Sequence, residues 1–78
     1  MSQLAYVLID TEVGKAREIA QALRKTPGVR EAHIVTGPYS LVAVYEGPDA
    51  NALGRLVMDG VHSIPGVLRT VTCLSLDA

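Results

Sequence analysis

Five consecutive residues, Thr36-Gly37-Pro38-Tyr39-Ser40, place three hydroxyls around a glycine-proline pair. A turn of this composition can aim backbone N–H groups outward, and such groups, helped by hydroxyls, bind a carboxylate or another small anion. The same residues also suit a plain tight turn with Tyr39 packed at a subunit contact, and on residue types alone both readings stand. The other side chains with chemical capacity are scattered. His33 and His62 read as ordinary exposed or partly covered side chains, of a type that can act as acid or base at neutral pH. Cys73 is the only cysteine and reads most simply as a small core residue, because free Cys is among the most buried types.

Enzyme motifs are missing. The chain has no Gly-rich phosphate loop, no His-Glu-x-x-His, no Cys-x-x-Cys and no nucleophile elbow, so it is expected not to be an enzyme and to need no cofactor. One cysteine and two distant histidines supply neither a disulfide nor a structural zinc site, so no metal is expected. A copper-chaperone reading fails for want of paired cysteines, and an RNA-recognition reading fails because Phe and Trp are absent. Seven basic and eight acidic side chains give a net charge of −1, without the cationic excess that direct nucleic-acid binding requires. The apolar run Leu4 to Ile9 is far shorter than a signal segment or a membrane span. A soluble, cytoplasmic protein with no membrane contact is expected, and a lone thiol agrees with a reducing compartment.

The elements that must position the turn follow from periodicity. Leu4 to Ile9 is continuously apolar and reads as a first strand, with Asp10-Thr11 able to start a helix. From Val13 the apolar residues Ala16, Ile19, Ala20 and Leu23 recur at helical spacing, predicting a helix to about Lys25 that Pro27-Gly28 stops. Val29 to Thr36 alternates, with Ala32 and Ile34 on one face and Glu31 and His33 on the other. Leu41 to Tyr45 is a third strand, joined to the second by the turn as a β-hairpin. Asp49 is placed to cap a second helix carrying Leu53, Leu56, Val57, Gly60, Val61 and Ile64 on one stripe until Pro65-Gly66. Val67 to Leu76 reads as the fourth strand.

The order is β-α-β-β-α-β, and Pro27-Gly28-Val29 recurs as Pro65-Gly66-Val67 between a helix and a strand each time. Two β-α-β halves with right-handed crossovers interleave as a ferredoxin-like α+β sandwich, with an antiparallel sheet in the order 4-1-3-2. Residues 1–78 form a single domain in this reading. The helices cover one face of the sheet, yet both faces of the central strands are apolar: Leu4, Tyr6 and Leu8 alternate with Ala5, Val7 and Ile9, and Val42 and Val44 alternate with Leu41, Ala43 and Tyr45. A bare apolar face of this kind is an association site, and a domain this short is marginal without support. A homo-oligomer dimerising sheet to sheet is expected.

Pro27-Gly28-Val29, Val35-Thr36-Gly37-Pro38-Tyr39-Ser40-Leu41 and Ile64-Pro65-Gly66-Val67 with Arg69-Thr70 and Thr72 resemble the C-terminal effector domain of the Lrp/AsnC transcription regulators. It is also called the regulation-of-amino-acid-metabolism (RAM) domain. The resemblance spans Ala5 to Leu76. It implies sheet-to-sheet dimers assembled into rings, often octamers, with an amino-acid effector between neighbouring dimers. The implied ligand-binding residues are Thr36, Gly37, Pro38, Tyr39 and Ser40, with His62, Ser63 and Ile64 before the fourth strand, and Thr72. The family commonly has Asp three residues after the turn glycine, where this chain has Ser40. A hydroxyl offers a ligand ammonium a weaker hydrogen bond than a carboxylate does.

Members of that family usually carry an N-terminal helix-turn-helix, whereas this chain begins just before its first strand. It reads as a stand-alone effector module without direct DNA contact, acting on assembly or on a full-length Lrp/AsnC partner. Two other classes remain in view. One is a purely structural partner of such regulators. The other is a small dimeric α/β-barrel enzyme using Tyr6, His33 or Tyr45 in a pocket between sheet and helices.

Overall fold

The structure, a computed structural model, describes residues 2–76. Its elements are β1 (Gln3–Thr11), α1 (Ala16–Arg24), β2 (Val29–Ile34), β3 (Leu41–Gly47), α2 (Ala50–Gly60) and β4 (Val67–Leu74). The strands form one sheet in the order β2-β3-β1-β4, with every neighbouring pair antiparallel. This is the expected ferredoxin-like arrangement, with β1 and β3 in the middle and β2 and β4 at the edges.

Local chemistry sets the element ends. Asp10 and Thr11 do not start a helix as expected, because they extend β1 by pairing with Arg69 and Val67. Val13 is fully exposed and Gly14 takes φ +80°, so α1 starts at Ala16 rather than at Val13. Asp49 caps α2 as the sequence predicts, its Oδ1 accepting from the Ala52 N–H at 2.8 Å. The repeated Pro-Gly pair is a repeated backbone conformation too: Gly28 has φ +90° and Gly66 has φ +99°, the left-handed region that glycine enters without steric cost. Both glycines turn the chain from a helix into the next strand.

The core lies between the helices and one face of the sheet. Ala5, Val7 and Ile9 of β1 and Leu41, Ala43 and Tyr45 of β3 pack with Ile19, Ala20 and Leu23 of α1, Leu53 and Val57 of α2, and Val61. Ile34 shares this face with Ala32 through its pairing with Leu41, but at the end of an edge strand it stays 51% exposed. Tyr6 and Leu8 of β1, Val42 and Val44 of β3, and Val71 and Cys73 of β4 share the opposite face. Among the described residues, no helix covers that face.

Two expectations are corrected there. Cys73 is exposed, not a core residue, because it lies opposite Tyr6 on the bare face of an edge strand. Tyr6 and His33, paired with Val44 and Val42, also lie on the bare face, whereas Tyr45 is buried under the helices. No pocket between sheet and helices brings those three side chains together.

Candidate ligand-binding site

β2 ends and β3 begins at the pair Ile34 and Leu41, so residues 35–40 form the hairpin loop. Its base is fixed twice: the Val35 N–H donates to the Ser40 carbonyl at 2.9 Å, and the Ser40 N–H donates to the Ile9 carbonyl at 3.0 Å. The loop is therefore anchored to the end of β1 as well as to itself. Gly37 sits at φ +143°, and a Cβ there would meet nothing within 4 Å. Backbone conformation rather than crowding requires glycine, and the tip stands open. Thr36, Gly37 and Pro38 are exposed, while Tyr39 and Ser40 are half-buried.

Tyr39 is partnered by Arg69, whose guanidinium carbon is 5.2 Å from the ring centroid, within cation–π range. Arg69 also lies opposite Asp10 in the sheet, with Nη2 3.9 Å from Oδ2. A cation steadied on an aromatic ring beside a carboxylate gives two opposite charges next to the loop. This arrangement suits a small zwitterion, whose carboxylate would face Arg69 and whose ammonium would face Asp10. Sequence reasoning missed both as site residues, with Arg69 entering only as part of a fourth-strand motif and Asp10 as a helix starter. The signal was in the sheet order, which brings the start of β4 beside the end of β1, where the hairpin is anchored.

The remaining expected residues lie elsewhere. His62 Nε2 is 3.0 Å from Thr70 Oγ1, linking the chain after α2 to β4. Thr70 pairs with Ile9 and Thr72 with Val7, which places both on the helix side of the sheet, and Thr72 is exposed there. Ser63 Oγ bonds the carbonyl oxygens of Asp59 at 2.8 Å and Gly60 at 3.0 Å, closing the last turn of the helix. Ser63 and Ile64 line a groove on the other side of α2, against Thr26 and Pro27. Three consecutive residues therefore diverge, with His62 toward β4 and the next two away from it.

The nine expected residues do not form one pocket within a chain. The hairpin sits with Arg69, on one face of β4, and His62 sits with Thr70 and Thr72 on the other. Among the described residues, no group of three or more His, Cys, Asp or Glu is placed to hold a metal ion. No helix among them is long and apolar enough to cross a membrane.

The model of the Lrp/AsnC ligand binding domain family matches residues 4–78. An uncharacterized HTH-type transcriptional regulator of Pyrococcus abyssi is 38% identical over 76 residues, covering 94% of this chain and 51% of the relative. The chain spans about half the length of the curated relatives it matches. The crystal structure of TTHA0845 from Thermus thermophilus superposes with a TM-score of 0.91 at 37% identity, covering 97% of this chain and 95% of that one. The Neisseria meningitidis transcriptional regulator NMB0573, solved as a complex with L-Met, superposes with a TM-score of 0.84 at 26% identity, covering 96% of this chain and 50% of that one.

Proposed function

This chain belongs to the Lrp/AsnC ligand-binding domain family, and from that premise we propose that it binds an amino acid where two sheet-paired dimers meet and thereby modulates assembly or a partner transcription regulator. The observation that carries this reading is the division of the candidate residues between the two faces of β4. A hairpin with Arg69 from one dimer, set against His62 and Thr72 from its neighbour, makes a complete cleft from two halves that a single chain keeps apart. The bare apolar face around Tyr6, Leu8, Val42, Val44 and Val71 supports the sheet-to-sheet dimer on which such a ring is built. The amino-acid class is supported by the L-Met complex of NMB0573.

In this reading the ligand carboxylate meets Arg69 and the hairpin N–H groups, and the ammonium meets Asp10. Asp10 then supplies the anion that Ser40 does not. Ligand binding favours whichever assembly completes the cleft, which is a population shift. Rings of the octamer kind and contact with a full-length Lrp/AsnC regulator belong to the same reading, which invokes no catalytic step.

Calorimetric unfolding at fixed protein concentration, with each of the twenty amino acids at millimolar level, tests the reading. A ligand that binds only the folded assembly at ~100-fold saturation stabilises it by about 2.7 kcal/mol. A rise for one amino acid or a few related ones is the expected result. An unchanged transition with all twenty would refute effector binding and leave a structural role in assembly.

A further inference from the structure

β4 sends its side chains alternately to the two sides of the sheet, and the side that the helices cover elsewhere is left open along this strand. Thr70, Thr72 and Leu74 pair with Ile9, Val7 and Ala5, which are buried under the helices. Thr72 and Leu74 are nevertheless exposed, and Thr70 is half-buried. His62, from the chain after α2, joins this strip, its Nε2 3.0 Å from Thr70 Oγ1. The result is a polar wall to which β4 contributes no carboxylate, ammonium or guanidinium on this side.

The wall offers donors and acceptors together. If the imidazole donates to Thr70, the threonine O–H stays free to donate outward; if Thr70 donates to the imidazole, its oxygen can still accept. The Thr72 hydroxyl bonds to no other described residue, so both of its roles are open. Covering such hydroxyls with an apolar group leaves them unpaired, which is unfavourable. A neutral group that carries its own donor and acceptor pairs with them instead.

We propose, resting on the cleft reading above, that this wall selects the effector by its side chain, and that the effector is an amino acid with an uncharged, hydrogen-bonding side chain, a carboxamide or a hydroxyl. The two head groups are held from the hairpin half, the carboxylate by Arg69 and the ammonium by Asp10. The side chain leaves the tetrahedral α-carbon away from both of them, so it points at the wall that the neighbouring dimer sets opposite. Thr70 and Thr72 bind its polar end, and His62 is a positioning residue that orients the Thr70 hydroxyl. The thioether of L-Met, the ligand in the NMB0573 complex, would leave both hydroxyls unpaired here.

The test is isothermal titration calorimetry of the full chain, in its native assembly, with the twenty amino acids, read through three matched pairs. These are L-threonine against L-valine, L-asparagine against L-leucine, and L-glutamine against L-methionine. The members of a pair are close in shape and differ in their polar atoms, so size cancels. In the pair whose length fits the cleft, the polar member should bind at least about fivefold tighter, the worth of roughly one neutral hydrogen bond. Thr70→Val combined with Thr72→Val should erase that preference while the apolar member still binds, because Arg69 and Asp10 keep its head groups. Equal or tighter binding of the apolar members, or binding confined to charged or aromatic amino acids, overturns the inference and leaves the cleft reading standing. A polar preference that survives both threonine changes also overturns it, since recognition then lies off this wall. Binding by none of the twenty overturns the cleft reading and this inference together.

Discussion

Arg69 of β4 holds its guanidinium 5.2 Å from the ring centroid of Tyr39 in the hairpin loop. The contact joins the edge strand to the loop at the end of the sheet where Asp10 also lies. It positions a cation without burying it, since the Arg69 side chain remains 62% exposed. Arg69→Ala should therefore leave the fold intact, with a loss in unfolding free energy of the order of 0.5–1 kcal/mol for the cation–π contact. The thermal shift given by the best amino-acid ligand of the wild type should disappear. Calorimetry with and without that ligand measures both effects, and an undiminished ligand shift would place the carboxylate elsewhere.

The hairpin tip makes a separable prediction. Gly37 has φ +143° and open space around it, so Gly37→Val distorts the loop without pressing on the core. Binding should be lost while circular dichroism and the oligomeric state are retained. Ser40→Asp should instead change which amino acids bind, because a second carboxylate near the loop alters recognition of the ligand ammonium. Thermal-shift panels over all twenty amino acids distinguish the two outcomes, and identical panels for wild type and both variants would move the site away from the loop.

Where local chemistry decided the structure, the sequence was readable. Asp49 caps α2, and the two Pro-Gly pairs turn the chain in the same conformation, because these depend on neighbours a few residues apart. The sheet order also followed from the element order, since two β-α-β halves with right-handed crossovers interleave in only this way as a ferredoxin-like sheet. What was not readable depended on register and cover. Cys73 looks like a core residue by type but falls on the bare face, and Ile34 has the right face but lies at an edge. Arg69 became a site residue only once β4 was set beside β1. His62, Ser63 and Ile64 looked like one patch, yet the end of α2 sends them to different sides.

The bare face predicts the first step of assembly. Val44 is only 8% exposed and Tyr6 is 42% exposed, so Tyr6 is the better place to put a charge without disturbing the chain's own packing. Tyr6→Lys should convert sheet-paired dimers to monomers in sedimentation velocity, because a lysine charge in an apolar contact would be buried without a partner. Amino-acid binding should fall with it if the cleft requires paired dimers. A variant that sediments like wild type would show that this face is not the dimer contact.

Asp49 gives a prediction confined to stability. Its carboxylate accepts from the Ala52 N–H at 2.8 Å and is exposed, and Asp49→Ala leaves that helix-end donor without its cap. The expected cost is about 1 kcal/mol, a fall in Tm of roughly 4–8 °C for a domain of this size. Secondary structure at 25 °C should be unchanged. A scan showing no fall in Tm would mean that α2 is held by packing of Leu53 and Val57 alone.

Tyr45 links burial to pH. Desolvation raises its pKa from 10.0 to about 12 in the folded chain, so the folded state binds the phenolic proton more tightly than the unfolded state does. The stabilisation from holding that proton is fully present below pH 10, the unfolded value, and is lost as pH rises toward the folded value of about 12. Between them the unfolding free energy should fall with a slope approaching ~1.4 kcal/mol per pH unit from this group alone. The informative quantity is the difference between wild type and Tyr45→Phe in urea unfolding from pH 8 to 12. Tyr45→Phe also removes an unpartnered buried hydroxyl, and it should be at least as stable as wild type at pH 8. Its advantage should grow above pH 10, where wild type must either hold a proton against the solvent or bury a phenolate. A difference that stays flat across the whole range would show that the hydroxyl reaches water.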